Sequence, residues 1–188
     1  LEVIMTTLHS GGKFSNKNYA TSGGLHGVGA SVVNALSSFM KVDVIRKGIL
    51  YTQEFSKGLP TKKLTKIGPT KRSTGTSISF KPDTSIFGEN NLLNPDKLFK
   101  ILEYKAYLFG GVKINWECEA SLLKENTKTP NTKKICYING IIEYVQFKTS
   151  TIPMFTASTF NGKVKIEDET VEWVIAWLAY DQLSFIET

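Results

Sequence analysis

The sequence predicts an α/β chain, and three observations carry that prediction. First, Ser22-Gly23-Gly24-Leu25-His26-Gly27-Val28-Gly29 holds four glycines and runs straight into Ala30-Ser31-Val32-Val33-Asn34-Ala35-Leu36-Ser37, which holds none. Val28, Val32 and Leu36 recur every four residues, as one face of a helix requires. Second, Lys41 to Ile45 and Leu50 to Phe55 are alternating or β-branched runs on either side of Lys47-Gly48, the pattern of a β-hairpin. Third, Asn94-Pro95-Asp96 offers a capping side chain, a first-turn proline and an acid against the helix dipole. Leu98, Ile101, Leu102 and Lys105 follow it at helical spacing.

The remaining elements follow in order. Val3, Ile4, Thr7 and Leu8 place a helix ahead of Ser10-Gly11-Gly12, ending near His9. His9 then reads as a capping or packing residue rather than a catalytic one. Lys13 to Thr21 is polar and aperiodic between glycine stretches, the character of a mobile lid. Gly58-Leu59-Pro60 breaks the hairpin, and Leu64 to Ile67 reads as a short further strand. Thr76, Ile78 and Phe80 share a face of a strand that Pro82-Asp83 ends. Gly110-Gly111 stops the long helix, and Val112 to Trp116 alternates as a strand. Ala120 to Lys133 has the composition of a surface loop without fixed structure. Lys134 to Tyr137 reads as a strand and Gly140 to Phe147 as a short helix. Thr149-Ser150-Thr151-Ile152-Pro153 is the domain boundary, dividing 1–150 from 151–188. Beyond it, Met154 to Phe160 and Val171 to Leu178 read as strands joined through a turn at Asn161-Gly162. Val171, Trp173, Ile175 and Trp177 would form a core stripe there.

Composition bounds the function. At 188 residues the chain holds one domain core and part of a second. Hydrophobic and charged contents of 41% and 21% are those of a globular protein, with no run long enough to span a membrane and no signal peptide at the start. Cys118 and Cys136 read as buried thiols; two cysteines cannot make a zinc site alone. A net charge of +6 suits work near nucleic acid, though its densest group, Lys62-Lys63, Lys66 and Lys71-Arg72, also reads as a solvated loop. The opening at Leu1 and the close at Thr188 suggest an internal piece of a longer protein.

The glycine stretch is where chemistry is expected. A glycine loop that opens a helix presents free backbone N–H groups, with roughly half a positive charge from the dipole, to an anion. A Cβ in such a loop would keep the backbone from closing on a phosphate. Two familiar nucleotide loops are excluded. The spacing Gly24-x-x-Gly27-x-Gly29 reverses the dinucleotide fingerprint, and Gly11-Gly12-Lys13 is followed by Phe14 rather than Ser or Thr.

Leu1 to Phe14, Tyr19, the Ser22 to Gly29 ribbon and Ser31 to Ser37 together resemble the ATPase region of bacterial type II topoisomerase B subunits, a branch of the GHKL superfamily. The wording around Gly24 to Gly29 separates that branch from the chaperone, histidine kinase and mismatch-repair members. Phe14 to Tyr19 is more similar to the topoisomerase IV group than to gyrase. The implied fold is a two-layer α/β sandwich, a mixed sheet with helices on one face, over 1–150 as the C-terminal part of the ATP-binding domain. The start of an α+β transducer domain would follow over 151–188.

The implied ligands are ATP and Mg²⁺. Lys13 would reach the phosphates from the lid, and Tyr19 would hydrogen-bond around the adenine. Gly24, Leu25, His26, Gly27, Val28 and Gly29 would wrap the phosphates, with His26 shaping the loop. Thr76 would bind the adenine edge and Ile78 would line its floor, with Ile4 and Met5 also at the nucleotide. The family's general base and Mg²⁺ ligand have no counterpart within 1–188, so the resemblance implies an ATP-hydrolysing topoisomerase as a whole protein and an inactive isolated chain. It further implies a topoisomerase IV or gyrase A subunit as partner, a second copy on ATP binding, and double-stranded DNA. Decatenation or supercoil relaxation would be the activity, in the cytoplasm near the nucleoid, with no membrane contact. A gyrase-type subunit, another GHKL ATPase, or a non-catalytic nucleotide-binding module are the alternatives.

Overall fold

The computed structural model describes residues 1–10, 26–89, 93–167 and 169–179. The chain forms two compact units, Leu1–Leu92 and Leu93–Thr188. Among the described residues no helix is long and apolar enough to cross a membrane.

The first unit opens with α1 (Glu2–Thr6), which ends earlier than its apolar spacing predicts. Its helical bonds stop at Thr7, whose backbone is extended. Helix α2 (Gly29–Ala35) follows the glycine ribbon as expected. The expected hairpin is β1 (Ser37–Arg46) against β2 (Ile49–Ser56), in register from Met40 opposite Phe55 to Arg46 opposite Ile49. Its turn, Lys47-Gly48, has φ of +51° and +74°. A two-residue turn with both φ positive matches the twist of the strands it joins. A second such turn, Lys57-Gly58, leads to β3 (Leu59–Pro60) on β2. Strand β4 (Thr65–Pro69) pairs with the other end of β2. Strand β5 (Thr74–Pro82) returns to the far side of β1. The order is β3-β2-β1-β5, with β4 beside β2, and every described pairing is antiparallel. Asp83 caps the short α3 (Thr84–Phe87) through the Ser85 amide at 3.0 Å.

Period-two alternation puts Met40 and Val42 of β1 and Phe55 of β2 on one face of this sheet. They are buried with Met5 of α1, and Leu1 and Val44 pack against them. The helices therefore lie on one face of the sheet, as a two-layer α/β arrangement requires.

In the second unit, α4 (Pro95–Leu108) starts where the Asn94 cap predicts: its side chain accepts from the Lys97 amide at 3.1 Å. Strands β6 (Ile114–Glu117) and β7 (Thr132–Ile135) pair antiparallel, and α5 (Ile141–Thr149) follows. Phe99, Ala106 and Ile135 form the core, with Trp116 edge-on to Phe99 at 5.5 Å. Three expectations are corrected here. The 120–133 stretch is not structureless: a short 3-10 turn spans Ala120–Leu122, the hydroxyls of Thr127 and Thr129 bind Asp96, and 132–133 already belong to β7. Cys136 is exposed, not buried, because alternation turns Ile135 inward and its neighbour outward, while Cys118 is half-buried.

The third correction concerns the end of the chain. The strands are β8 (Phe160–Ile166) and β9 (Glu169–Ile175), so Asn161-Gly162 lies inside a strand and is not its turn. Met154 meets Leu178 only in an isolated bridge, not in a strand from 154 to 160. Gly162 stands opposite Trp173, and the missing side chain makes room for the indole. The apolar stripe is not a core: Val171, Ile175 and Trp177 are exposed, since a two-stranded hairpin buries a face only where another element lies on it.

Candidate functional site

A pocket of about 320 Å³ opens in the first unit, lined by Met5, Gly29, Ala30, Val33, Met40, Ile78 and Phe80. Each wall follows from the local pattern. Helix α1 lays Met5 on the sheet, where it is 3% exposed. Helix α2 contributes its first turn. Strand β5 contributes alternate residues, with Thr76, Ile78 and Phe80 opposite Val44, Val42 and Met40 of β1. Strand β5 ends the hydrogen-bonded path of strands, so Ile78 and Phe80 remain 50% and 43% exposed and form an open apolar wall. Such an apolar wall is suited to the face of a heterocyclic ring. Exposed Thr76, next on the same strand face, supplies a hydroxyl near that wall.

The opposite rim is the end of the glycine ribbon. Gly27 has φ of +62°, a left-handed conformation that L side chains adopt only at a cost. Val28 is the N-cap of α2 and its aliphatic side chain offers the first-turn amides no cap. A Cβ on Gly29 would meet nothing within 4 Å, so that glycine faces open space. The Val28 carbonyl accepts from the Val32 amide at 2.9 Å and the Ser31 hydroxyl at 3.0 Å, which secures the first turn. His26 is tied down by its main chain: the His9 ring nitrogen Nδ1 lies 2.8 Å from the His26 carbonyl. A carbonyl only accepts, so Nδ1 carries the proton in this bond. His9 thereby joins the end of α1 to the ribbon, a packing role in line with its position.

Two buried amides hold the helices behind the pocket. Asn34 of α2, fully buried, donates from Nδ2 to the Met5 carbonyl at 2.9 Å. Gln53 of β2, 1% exposed, donates to the Glu2 carboxylate at 2.8 Å and the Lys62 carbonyl at 3.3 Å. Charged side chains are paired away from the pocket: Lys57 lies 2.9 Å from Asp83, and Lys41 3.2 Å from Asp43. The Lys57 ammonium and the Ser85 amide hold the Asp83 carboxyl below its ordinary range.

Of the residues singled out from sequence, Met5, Gly29 and Ile78 meet in one pocket. His26, Gly27 and Val28 lead directly into it, and Thr76 continues one of its walls. Ile4 is 47% exposed and does not line the pocket. Lys13, Tyr19, Gly24 and Leu25, and with them the expected lid, lie outside the described residues. Sequence reading missed Met40, Phe80, Ala30 and Val33 as lining residues. Phe80 carried a signal, as it shares the alternation of Thr76 and Ile78. Met40 carried none until the pairing of β1 with β5 was known. Among the described residues no group of three or more His, Cys, Asp or Glu could hold a metal ion, so they do not form a magnesium cage by themselves.

No family model matches the chain. It is 48% identical over 179 residues to the B subunit of DNA topoisomerase 4 from Bartonella bacilliformis, covering 94% of this chain and 26% of that protein. It is 44% identical over 190 residues to the B subunit of DNA topoisomerase 4 from Rickettsia prowazekii, covering all of this chain and 28% of that protein. In structure it is similar to the 43K ATPase domain of Thermus thermophilus gyrase B, solved with an aminocoumarin, at a TM-score of 0.67 and 31% identity over 88% of this chain and 38% of that one. It is also similar to the topoisomerase IV ATP-binding domain of Francisella tularensis, solved with a small-molecule inhibitor, at 0.66 and 32% over 92% and 42%. The chain spans about a quarter of the length of the curated relatives it matches.

Proposed function

From the premise that the chain belongs to the B-subunit family of type II DNA topoisomerases, we propose that its pocket binds ATP, with the adenine on the Met5, Ile78 and Phe80 wall and the phosphates on the ribbon entering α2. The observation that carries this reading is the meeting of Met5, Gly29 and Ile78 in one pocket, directly after a glycine held at positive φ. Main-chain amides of the ribbon and first helical turn grip the phosphate oxygens without charged side chains of their own. Thr76 hydrogen-bonds the adenine edge, and His26 shapes the ribbon through the bond between its carbonyl and His9. By the resemblance, Lys13 would reach the phosphates and Tyr19 would hydrogen-bond around the adenine.

Magnesium would accompany the nucleotide and offset the charge of its phosphates, a task for which the described residues offer no cluster of ligands. In the whole protein, ATP binding drives pairing with a second copy. That gate serves DNA strand passage with an A subunit of the topoisomerase IV or gyrase kind, in the cytoplasm. The first 150 residues act as the nucleotide domain and the β8–β9 region opens the transducer. The names of the relatives favour topoisomerase IV over gyrase.

An azido-adenine photoprobe of ATP tests the assignment on the full chain. Labelled peptides containing Met5 or Ile78, competed by unlabelled ATP, are expected. Specific labelling confined to residues 93–188 would overturn it.

A further inference from the structure

The turn end of the first unit's sheet gathers cations that the nucleotide site does not use. Lys47 sits in the β1–β2 turn, and Lys71-Arg72 lie in the connection from β4 to β5. Backbone bonds hold the two segments side by side: the Gly48 amide donates to the Ser73 carbonyl at 3.0 Å, and the Thr70 amide to the Gly48 carbonyl at 2.8 Å. Lys66 of β4, opposite Tyr51, and Lys63 just before that strand extend the group. Arg46, opposite Thr74, adjoins it. All six side chains are exposed, and none is in an ion pair among those of the described residues. Three other lysines of this unit are neutralised, Lys41 by Asp43, Lys57 by Asp83 and Lys62 by Glu54, while Lys81 of β5 lies apart from the group.

Protection of a sheet edge accounts for Lys66 alone. It does not account for Lys47, which occupies a left-handed position where Asn would be accommodated more readily. Lys57 occupies the equivalent position in the next turn, but there the Asp83 carboxylate gives it a partner. Lys47 has no such local reason. A row of unneutralised cations along a strand and across a turn suits a polymer of repeated charges better than a single anion.

We propose that this surface docks the phosphate backbone of duplex nucleic acid, a reading that rests on the proposed function of the whole protein as one that handles DNA. The contact is independent of sequence, since it addresses phosphates and not base edges. It would hold the nucleotide unit close to the duplex.

The test uses the full chain with a fluorescent duplex of random sequence, its affinity measured by anisotropy across a salt series. The substituted protein carries Lys47→Gln, Lys66→Gln, Lys71→Gln and Arg72→Gln; Arg46 is left intact because its neighbouring strand leads to Thr76. A control of equal charge carries Lys97→Gln, Lys113→Gln, Lys134→Gln and Lys165→Gln. The first set is expected to weaken binding by roughly tenfold or more and to lower the salt slope by up to about 3.6, about 0.9 for each phosphate that is no longer neutralised. The control should leave both near the unsubstituted values. Equal losses in the two proteins would reduce the effect to net charge and overturn the proposal, as would no loss in either or no duplex binding at low salt. Binding to anionic phospholipid vesicles as tight as to duplex, with the same dependence on these residues, would replace DNA by a membrane surface and also overturn it. Binding of a non-hydrolysable ATP analogue is measured on the same proteins. Its retention while duplex binding fails the test leaves the nucleotide reading standing.

Discussion

The side-chain amide of Asn34 donates to the main-chain carbonyl of Met5 across 2.9 Å, with Asn34 fully buried. One bond thus fixes the helix that begins at the glycine ribbon against the helix that supplies a wall of the pocket. The main-chain carbonyl of Asn34 also accepts from the Gly58 amide at 3.1 Å, which ties α2 to the turn between β2 and β3.

Asn34→Ala should destabilise the chain by about 1–3 kcal/mol, because the Met5 carbonyl loses its side-chain donor in a buried place. Urea unfolding followed by far-ultraviolet circular dichroism reads this directly. A loss below a few tenths of a kcal/mol would mean that the bond adds nothing to the pairing of α1 and α2.

Nucleotide affinity should respond separately at the two ends of the pocket. Gly27→Ala forces a Cβ into a left-handed backbone and crowds the phosphates, with an expected loss of about tenfold in affinity. Thr76→Val removes a hydroxyl while keeping its shape, with a loss of about 0.5–1.5 kcal/mol. Calorimetric titration with a non-hydrolysable ATP analogue separates them: a triphosphate lacking the adenine ring should feel the first change and ignore the second.

Acid stability should depend on Asp83. Its folded-state carboxyl is held below the ordinary value of 3.8 by Lys57 and by the Ser85 amide. The sign is that of a depressed acid: the contribution is present above 3.8 and is lost as pH falls through the lower folded-state value. Asp83→Asn should therefore lower the melting temperature at neutral pH and flatten its decline in acid. Parallel melting curves for both proteins at every pH would refute the pairing as a source of stability.

The loop before β7 should open when its anchor is cut. Asp96 accepts from the hydroxyls of Thr127 and Thr129, and those two bonds hold its carboxyl below the ordinary range. Asp96→Ala should speed tryptic cleavage at Lys124 and Lys128 several-fold, with cleavage elsewhere little changed. Unaltered cleavage would show the loop to be held by other contacts.

A methyl group at Gly162 has no room. An ideal Cβ there would come within 2.3 Å of Trp173 Cζ2, so either the indole or the hairpin must shift. Gly162→Ala should cost about 1–3 kcal/mol, and Trp173→Leu in the same chain should recover part of that loss. Near-ultraviolet circular dichroism of the tryptophans, with denaturant unfolding, measures both.

The helix after the ribbon, the hairpin around Lys47-Gly48 and the capped helix at Asn94 were legible from sequence alone. Period, cap and turn chemistry act within a few neighbouring residues, and those neighbours are written next to each other. The same local signals placed Met5, Gly29 and Ile78 in the candidate site only with the help of family likeness. What tertiary structure decided was everything that depends on register. Met40 and Phe80 share a pocket because β5 pairs with β1 across a long stretch of chain. Asn161-Gly162 reads as a turn by composition, yet Gly162 is a strand residue because Trp173 lies over it. Two basic segments form one surface because a turn and a loop exchange main-chain hydrogen bonds. In each case the deciding term is a contact between distant segments, whose strength no local pattern encodes.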